Sequence, residues 1–273
     1  MKILSNCHTH TQFCDAHSTM EDMVLSALEH SFISLGFSPH CRLCFGGLAS
    51  MSVPGEQEYL REFRRLKACY GDRIKLYCGV EKDMYSASDC SGFEYVIGTL
   101  HVLPSAAGLS QVEGKVPLVE RLVQEEFGGS ADALAHAYLR GLGAMALAVR
   151  PQIVGHFDVF LKRLRVKVDT ESAAYRKTVT ETLEIIRSAG SMLEVNTGGM
   201  VRAGQPYPYP EPWTLKRWRE MGGQVIVGSD CHQADQIAAY FDEAVDYMQA
   251  AGFSAYYRLS GGEGALFEEV PLR

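Results

Sequence analysis

Seven short apolar runs along this chain each end in a cluster of polar side chains, and helical stretches are interspersed among them. The first run ends in CHTHT, where His8 and His10 are two residues apart. Side chains at i and i+2 of a strand share a face, so two imidazoles so placed can converge on one ion. Later runs end in SPH (38–40), VEKD (80–83), TLH (99–101), GHFD (155–158), the NTGG of 196–199 and GSDCH (228–232). Parallel strands need long crossover connections, and the spacing between these runs supplies them. The chain therefore reads as a parallel α/β fold.

The strands are expected from Ile3 through the pair His8 and His10, and at 32–37, 74–80, 95–100, 152–154, 192–195 and 224–227. After the first, Ser18 and Glu21 read as a capping box opening a helix with Met20, Met23, Val24, Ala27 and Leu28 on its apolar face. Further helices are expected over 57–70, over 118–147 with a break at Gly128 and Gly129, over 172–188, around Leu215 and Trp218, and over 236–250. A barrel is preferred to an open sheet. The polar clusters sit at the C-terminal ends of nearly all strands, which is where a barrel assembles its active site. An open doubly wound sheet would gather them near one switch point, and no GxGxxG follows the first strand.

A chain of 273 residues can bury a full core, and residues 1–273 read as one domain without a linker. The net charge of −7 argues against general attraction to nucleic acid and favours a small soluble substrate. The N-terminus turns polar after four residues, no run approaches the length of a membrane span, and a cytoplasmic protein is expected. The 8 cysteines are scattered, and the lone CxxC at Cys41 and Cys44 has no companion, so reduced thiols are expected. Oligomeric state is left open.

Of the 9 histidines, His8, His10, His17, His40, His101, His156 and His232 fall at strand ends or in the loop just after one. A barrel rim would bring them together with Glu81 and Asp230. Glu81 suits a bridging role, because a carboxylate has two oxygens to offer two ions. Such mixed N/O ligands fit Zn, Fe or Mn alike.

Taken in order, HTHT, the loop holding Asp15 and His17, SPH, GVEKD, GTLH, GHFD and GSDCH resemble the motifs of the polymerase and histidinol phosphatase (PHP) superfamily over almost the whole chain. HTHTQFC, EVNTGG, YPYP and GSDCH look most like its monofunctional histidinol-phosphatase branch. The resemblance implies a distorted seven-stranded (β/α) barrel, three divalent metal ions, and hydrolysis of L-histidinol phosphate to L-histidinol in histidine biosynthesis. It implies one ion on His8, His10, Glu81 and Asp230, a second on Glu81, His101 and His156, and a third on His40 and His232 with either Asp15 or His17.

Phosphate monoester hydrolysis then calls for attack by a metal-bound hydroxide, with an Arg clamping the phosphate. Arg202, after NTGGM, is the first candidate for the clamp, with Arg163 and Arg165 beyond GHFD as second choices. Asp230 or His232 is expected to assist proton transfer. Two other readings are a related phosphoesterase acting on another small phosphate ester, nucleotide or nucleic-acid end, and a noncatalytic metal-stabilised domain. The first would want a basic groove and the second would show lost ligands.

Overall fold

The computed structural model describes residues 2–43, 50–164 and 167–272. In chain order the elements begin with β1 (Ser5–Asn6), α1 (Met20–Glu29), β2 (Ser34–Phe37), α2 (Val53–Tyr70), β3 (Lys75–Asp83) and β4 (Tyr95–Thr99). A hairpin of β5 (Val102–Ser105) and β6 (Gly108–Gln111) leads to α3 (Val116–Glu126), α4 (Ala131–Val149), β7 (Ile153–Val154), α5 (Leu161–Leu164) and α6 (Ala173–Ala189). The chain continues through β8 (Met192–Asn196), α7 (Gly198–Ala203), α8 (Pro212–Glu220), β9 (Val225–Gly228), α9 (Phe241–Ala250), β10 (Ala255–Leu259) and β11 (Phe267–Pro271).

The main sheet runs β1-β2-β3-β4-β7-β8-β9-β10-β11, every pair parallel except the last. The hydrogen-bonded order is open, so the seven-stranded closed barrel expected from the sequence is not what the ladder describes. Two strands beyond the seven, β10 and β11, follow the last helix and were not anticipated. The sheet nonetheless curls. Just past β1, Thr9 bridges Cys231 just past β9, and the His10 amide donates to the Cys231 carbonyl at 3.0 Å.

Register shows why one end of this sheet is chemically distinct. The pairs Gly79 with Tyr95, Glu81 with Ile97, Ile97 with Ile153, Ile153 with Met192, and Glu194 with Ile226 put these residues in line across the strands. Because alternate residues share a face, the face that carries Tyr77, Tyr95, Ile97, Ile153, Met192 and Ile226 toward the strand N-termini carries Glu81, Asp83, Glu194 and Asn196 further along. The apolar members form one buried cluster with Leu259, and Phe267 of β11 packs edge-on against Tyr95 at 6.3 Å. Gly36 and Gly79 make room for Tyr95: a Cβ at Gly36 would lie 2.2 Å from its hydroxyl and one at Gly79 2.2 Å from its ring. The larger core lies between the other face of the sheet and the helices, with Met23, Leu66, Leu142, Leu183 and Trp218 among its buried residues.

Several local expectations shift. The capping box of α1 is Thr19 with Asp22, not Ser18 with Glu21. Both frames satisfy the pattern. Ser18 is taken up by the Ala234 amide at 3.0 Å, and Glu21 faces Arg65 and Tyr70 of α2. The region expected as one helix over 236–250 is a short 3-10 turn at Ala234–Gln236 followed by α9, with Tyr240 between them at a φ of 59°. No helix among the described residues is long and apolar enough to cross a membrane. The cysteines of the described residues are free thiols, and Cys44 of the CxxC lies outside those residues.

Candidate metal centre

At the C-terminal ends of the parallel strands, Glu81 is 1% exposed and surrounded by five imidazoles. Its Oε2 is 2.8 Å from His40 Nδ1, 3.5 Å from His10 Nε2 and 3.6 Å from His8 Nε2. Its Oε1 is 2.9 Å from His156 Nε2 and 3.2 Å from His101 Nε2. The two oxygens of one carboxylate are thus divided between two sets of rings, as a bridging ligand requires. His8 and His10 stack with ring centroids 5.4 Å apart, and both turn Nε2 toward Asp230 Oδ1, at 3.6 and 3.0 Å.

A third group forms beside them. Asp15 Oδ2 lies 3.3 Å from His232 Nε2 and 3.7 Å from His40 Nε2, while Asp15 Oδ1 lies 3.0 Å from His10 Nδ1. Of the two first-loop candidates it is therefore Asp15 that faces the cluster. His17 is exposed and belongs to none of the ligand-type groups: its backbone amide bonds to the His232 carbonyl, so this part of the loop is anchored by main chain. Four such groups occur among the described residues: His8, His10 and Asp230; His10, Asp15 and His232; His10, His40 and Glu81; and Glu81, His101 and His156.

The donor atoms fit a cation. His8 Nε2 and Glu81 Oε2 are buried and 3.6 Å apart; among the described residues neither makes a well-aligned hydrogen bond, and the contacts of Oε2 are with imidazole nitrogens, the nearest being His40 Nδ1 at 2.8 Å. Buried polar atoms without partners are costly, and a shared divalent ion would satisfy both. Without an ion the carboxylates act on the imidazoles instead. Burial alone would depress His8, but Glu194, Asp230 and Glu81 overcome it and lift the ring to about 10. His101 is likewise raised, against its burial, by Glu81 and Asp83. Burial would raise the carboxylates, yet His40, His101 and His8 hold Glu81 low, and Arg202, His8 and His10 hold Asp230 low. His232 is lowered by its burial and by the neighbouring His10.

A pocket of about 280 Å³ opens onto the cluster, lined also by Arg202, Lys162 and Glu113. Arg202 extends from α7 and grips Asp230, donating to its backbone oxygen and, at 2.5 Å, to Oδ2. Arg163 does not line the pocket, because its Nε is spent on the Gly114 carbonyl at 3.0 Å. The neighbouring Lys162 is the cation that α5 delivers, with Nζ 3.0 Å from Glu113 Oε2. Burial pushes Glu113 up, but Lys162, His101 and His156 bring it down to about 2. Arg165 lies outside the described residues.

Sequence reasoning missed Lys162, Glu113 and Glu194. Lys162 stands beside the candidate that was chosen, and only the orientation of α5 separates them. Glu113 sits after the unanticipated β5–β6 hairpin and carries no motif. Glu194 was visible in EVNTGG but had no assigned task; its Oε1 is 2.7 Å from His8 Nδ1.

A family model described as the PHP domain matches residues 6–198. The histidinol-phosphatase of Bacillus subtilis is 23% identical over 258 residues, covering 86% of this chain and 96% of its own. A crystal structure from Listeria monocytogenes superposes with a TM-score of 0.78 at 22% identity, over 88% of this chain and 99% of that one. Another, of histidinol phosphate phosphatase from Lactococcus lactis complexed with zinc, L-histidinol and phosphate, gives a TM-score of 0.66 at 20% identity, over 94% and 97%. At these identities the structural likenesses establish the fold.

Proposed function

The chain belongs to the PHP domain family, and from that premise we propose that it is a metal-dependent phosphatase hydrolysing L-histidinol phosphate to L-histidinol and phosphate. The observation that carries the reading is Glu81 with its two oxygens divided between two sets of imidazoles, beside a pocket whose lining includes Arg202 and Lys162. The relative from Bacillus subtilis bears the name of this activity across nearly its whole length, and the Lactococcus lactis structure holds zinc with the two products. We assign three divalent ions, Zn, Fe or Mn, to ligands drawn from His8, His10, Asp15, His40, Glu81, His101, His156, Asp230 and His232. Bound ions would acidify water and neutralise charge on the phosphoryl oxygens.

The protein's own residues do the rest. Arg202 and Lys162 reach the pocket from opposite segments, α7 and α5, and can hold phosphoryl oxygens in place. A guanidinium gives paired donors matched to phosphate, so Arg202 is the orienting cation of the two. Asp230 Oδ1 faces the Nε2 atoms of His8 and His10 and its Oδ2 is held by Arg202, so its part is to serve as a ligand and to anchor Arg202 rather than to give up a proton. His232 is committed as well: its Nε2 lies among the assigned ligands, 3.3 Å from Asp15 Oδ2, and its Nδ1 lies 3.0 Å from the Asp230 backbone oxygen, so the leaving alkoxide takes its proton from water rather than from either candidate.

We read residues 1–273 as a single barrel-like domain, its sheet curled so that the strand ends converge, and working in the cytoplasm as a small-molecule biosynthetic enzyme. The test is phosphate release by the purified, metal-analysed protein from histidinol phosphate and from a panel of other phosphomonoesters. A marked preference for histidinol phosphate is expected. Preference for a different ester would keep the chemistry and replace the substrate, and active protein free of metal would overturn both.

A further inference from the structure

We propose that Glu194 is the positioning residue that sets the direction of His8 and ties it to the strand bearing His156, an inference that rests on the metal-phosphatase reading above. Glu194 is fully buried on β8 and belongs to none of the ligand-type groups, so it is a carboxylate without a role in that reading. Its Oε1 is 2.7 Å from His8 Nδ1. Its Oε2 accepts from the His156 backbone amide at 3.0 Å and from Asn196 Nδ2 at 2.9 Å. The same Asn196 amide reaches Asp230 Oδ2 at 3.4 Å, and Asn196 Oδ1 accepts from the Gly198 amide at 2.8 Å. Glu194 thus bears directly on groups following β1 and β7, and through Asn196 on one following β9.

Space for this arrangement is provided on both sides. A Cβ at Gly228 would lie 2.0 Å from Glu194 Oε1 and 2.8 Å from His8 Cβ, and one at Gly155 would lie 3.4 Å from Glu194 Oε2. Gly228 is needed for room. The consequence for His8 follows from imidazole chemistry: the neutral ring that ligation requires, if it donates Nδ1–H to a carboxylate, has its lone pair on Nε2. Nε2 is the buried atom without a hydrogen-bond partner that faces Glu81 and Asp230. Glu194 therefore aims the ligand atom at the ion position.

A carboxylate accepts on both oxygens, whereas a carboxamide accepts on one and donates on the other. In Glu194→Gln, either His8 keeps its acceptor and the His156 amide faces an NH₂ group, or the reverse. The reverse case makes His8 accept at Nδ1, which puts a proton on the nitrogen meant for metal. Zinc competition with a chelator should show Glu194→Gln, folded by circular dichroism, losing about 10- to 100-fold in affinity relative to wild type. Equal affinity at every equivalent would overturn the inference while leaving the metal-phosphatase reading intact; wild-type protein that takes up no zinc would overturn both. Should the variant fail to fold, the zinc-loaded wild type with ¹⁵N-histidine decides. His8, assigned through its contact with Gly228, should carry its proton on Nδ1 and zinc on Nε2, and zinc on Nδ1 would refute the proposal.

Discussion

His40 and Glu81 are joined twice, by main chain and by side chain. Their backbones form a parallel bridge, with the Cys41 amide donating to the Glu81 carbonyl at 2.9 Å and the Glu81 amide to the Pro39 carbonyl at 3.0 Å. Their side chains then meet at 2.8 Å between Nδ1 and Oε2. The sheet ladder itself brings an imidazole to the central carboxylate. Rearrangement to fill a missing group at this point would require breaking strand pairing.

Glu81→Gln should accordingly lose more than about 100-fold in activity, because one neutral amide replaces the carboxylate shared by five rings and costs at least as much as the loss of an outer partner. Metal content measured alongside should fall by at least one equivalent. A variant with full metal content and near-normal turnover would contradict the bridging role.

Asp15 and His17 are two residues apart and separable by one experiment. Asp15→Asn should lower metal occupancy and turnover, since Asp15 is in reach of His10, His40 and His232. His17→Asn should leave both unchanged, because His17 is exposed and is held through its backbone. Elemental analysis and kinetics on the pair would show the reverse if the loop were read wrongly.

The cations at the pocket give a second contrast. Charge-assisted hydrogen bonds contribute about 1.5–3 kcal/mol, so Arg202→Ala should raise KM or depress kcat/KM by roughly 10- to 150-fold. Arg202→Lys should recover little of this, an ammonium lacking the paired donors. Lys162→Ala should also impair kcat/KM, whereas Arg163→Ala, which removes a bond to the Gly114 carbonyl, should leave kcat/KM close to wild type.

Protons and metal compete for this site, and the sign is fixed by His8. In the metal-free protein its ring, raised to about 10, is protonated at pH 7, whereas ligation needs it neutral. Metal uptake at pH 7 should therefore release protons, measurable with an indicator dye, and affinity should fall as pH falls. Folding of the metal-free protein follows the opposite course. A raised imidazole contributes stability that is fully present below its unfolded value near 6.5 and is lost as pH rises through about 10. Melting temperatures taken in chelator should decline over that interval on account of this group.

Away from the site, Thr19→Ala should cost about 1 kcal/mol in denaturant unfolding by removing the cap of α1. Ser18→Ala removes a different bond, to the Ala234 amide, and should leave the N-terminus of α1 capped. Amide exchange over 20–23 distinguishes the two.

Alternation of apolar runs with helical stretches, and the placing of His8, His10, His40, Glu81, His101, His156, Asp230 and His232 at the ends of those runs, were legible in the chain itself, because period and strand polarity are local properties. From them came the parallel α/β class and most of the candidate ligand set. Open pairing at the ends of the sheet, the two strands after the last helix, which of Asp15 and His17 faces the cluster, which of Lys162 and Arg163 lines the pocket, and the burial of Glu194 against His8 emerged only with the tertiary structure. Each depends on which way a side chain points once distant segments have packed. A one-residue step along a loop or short helix changes that direction while leaving composition and spacing nearly the same.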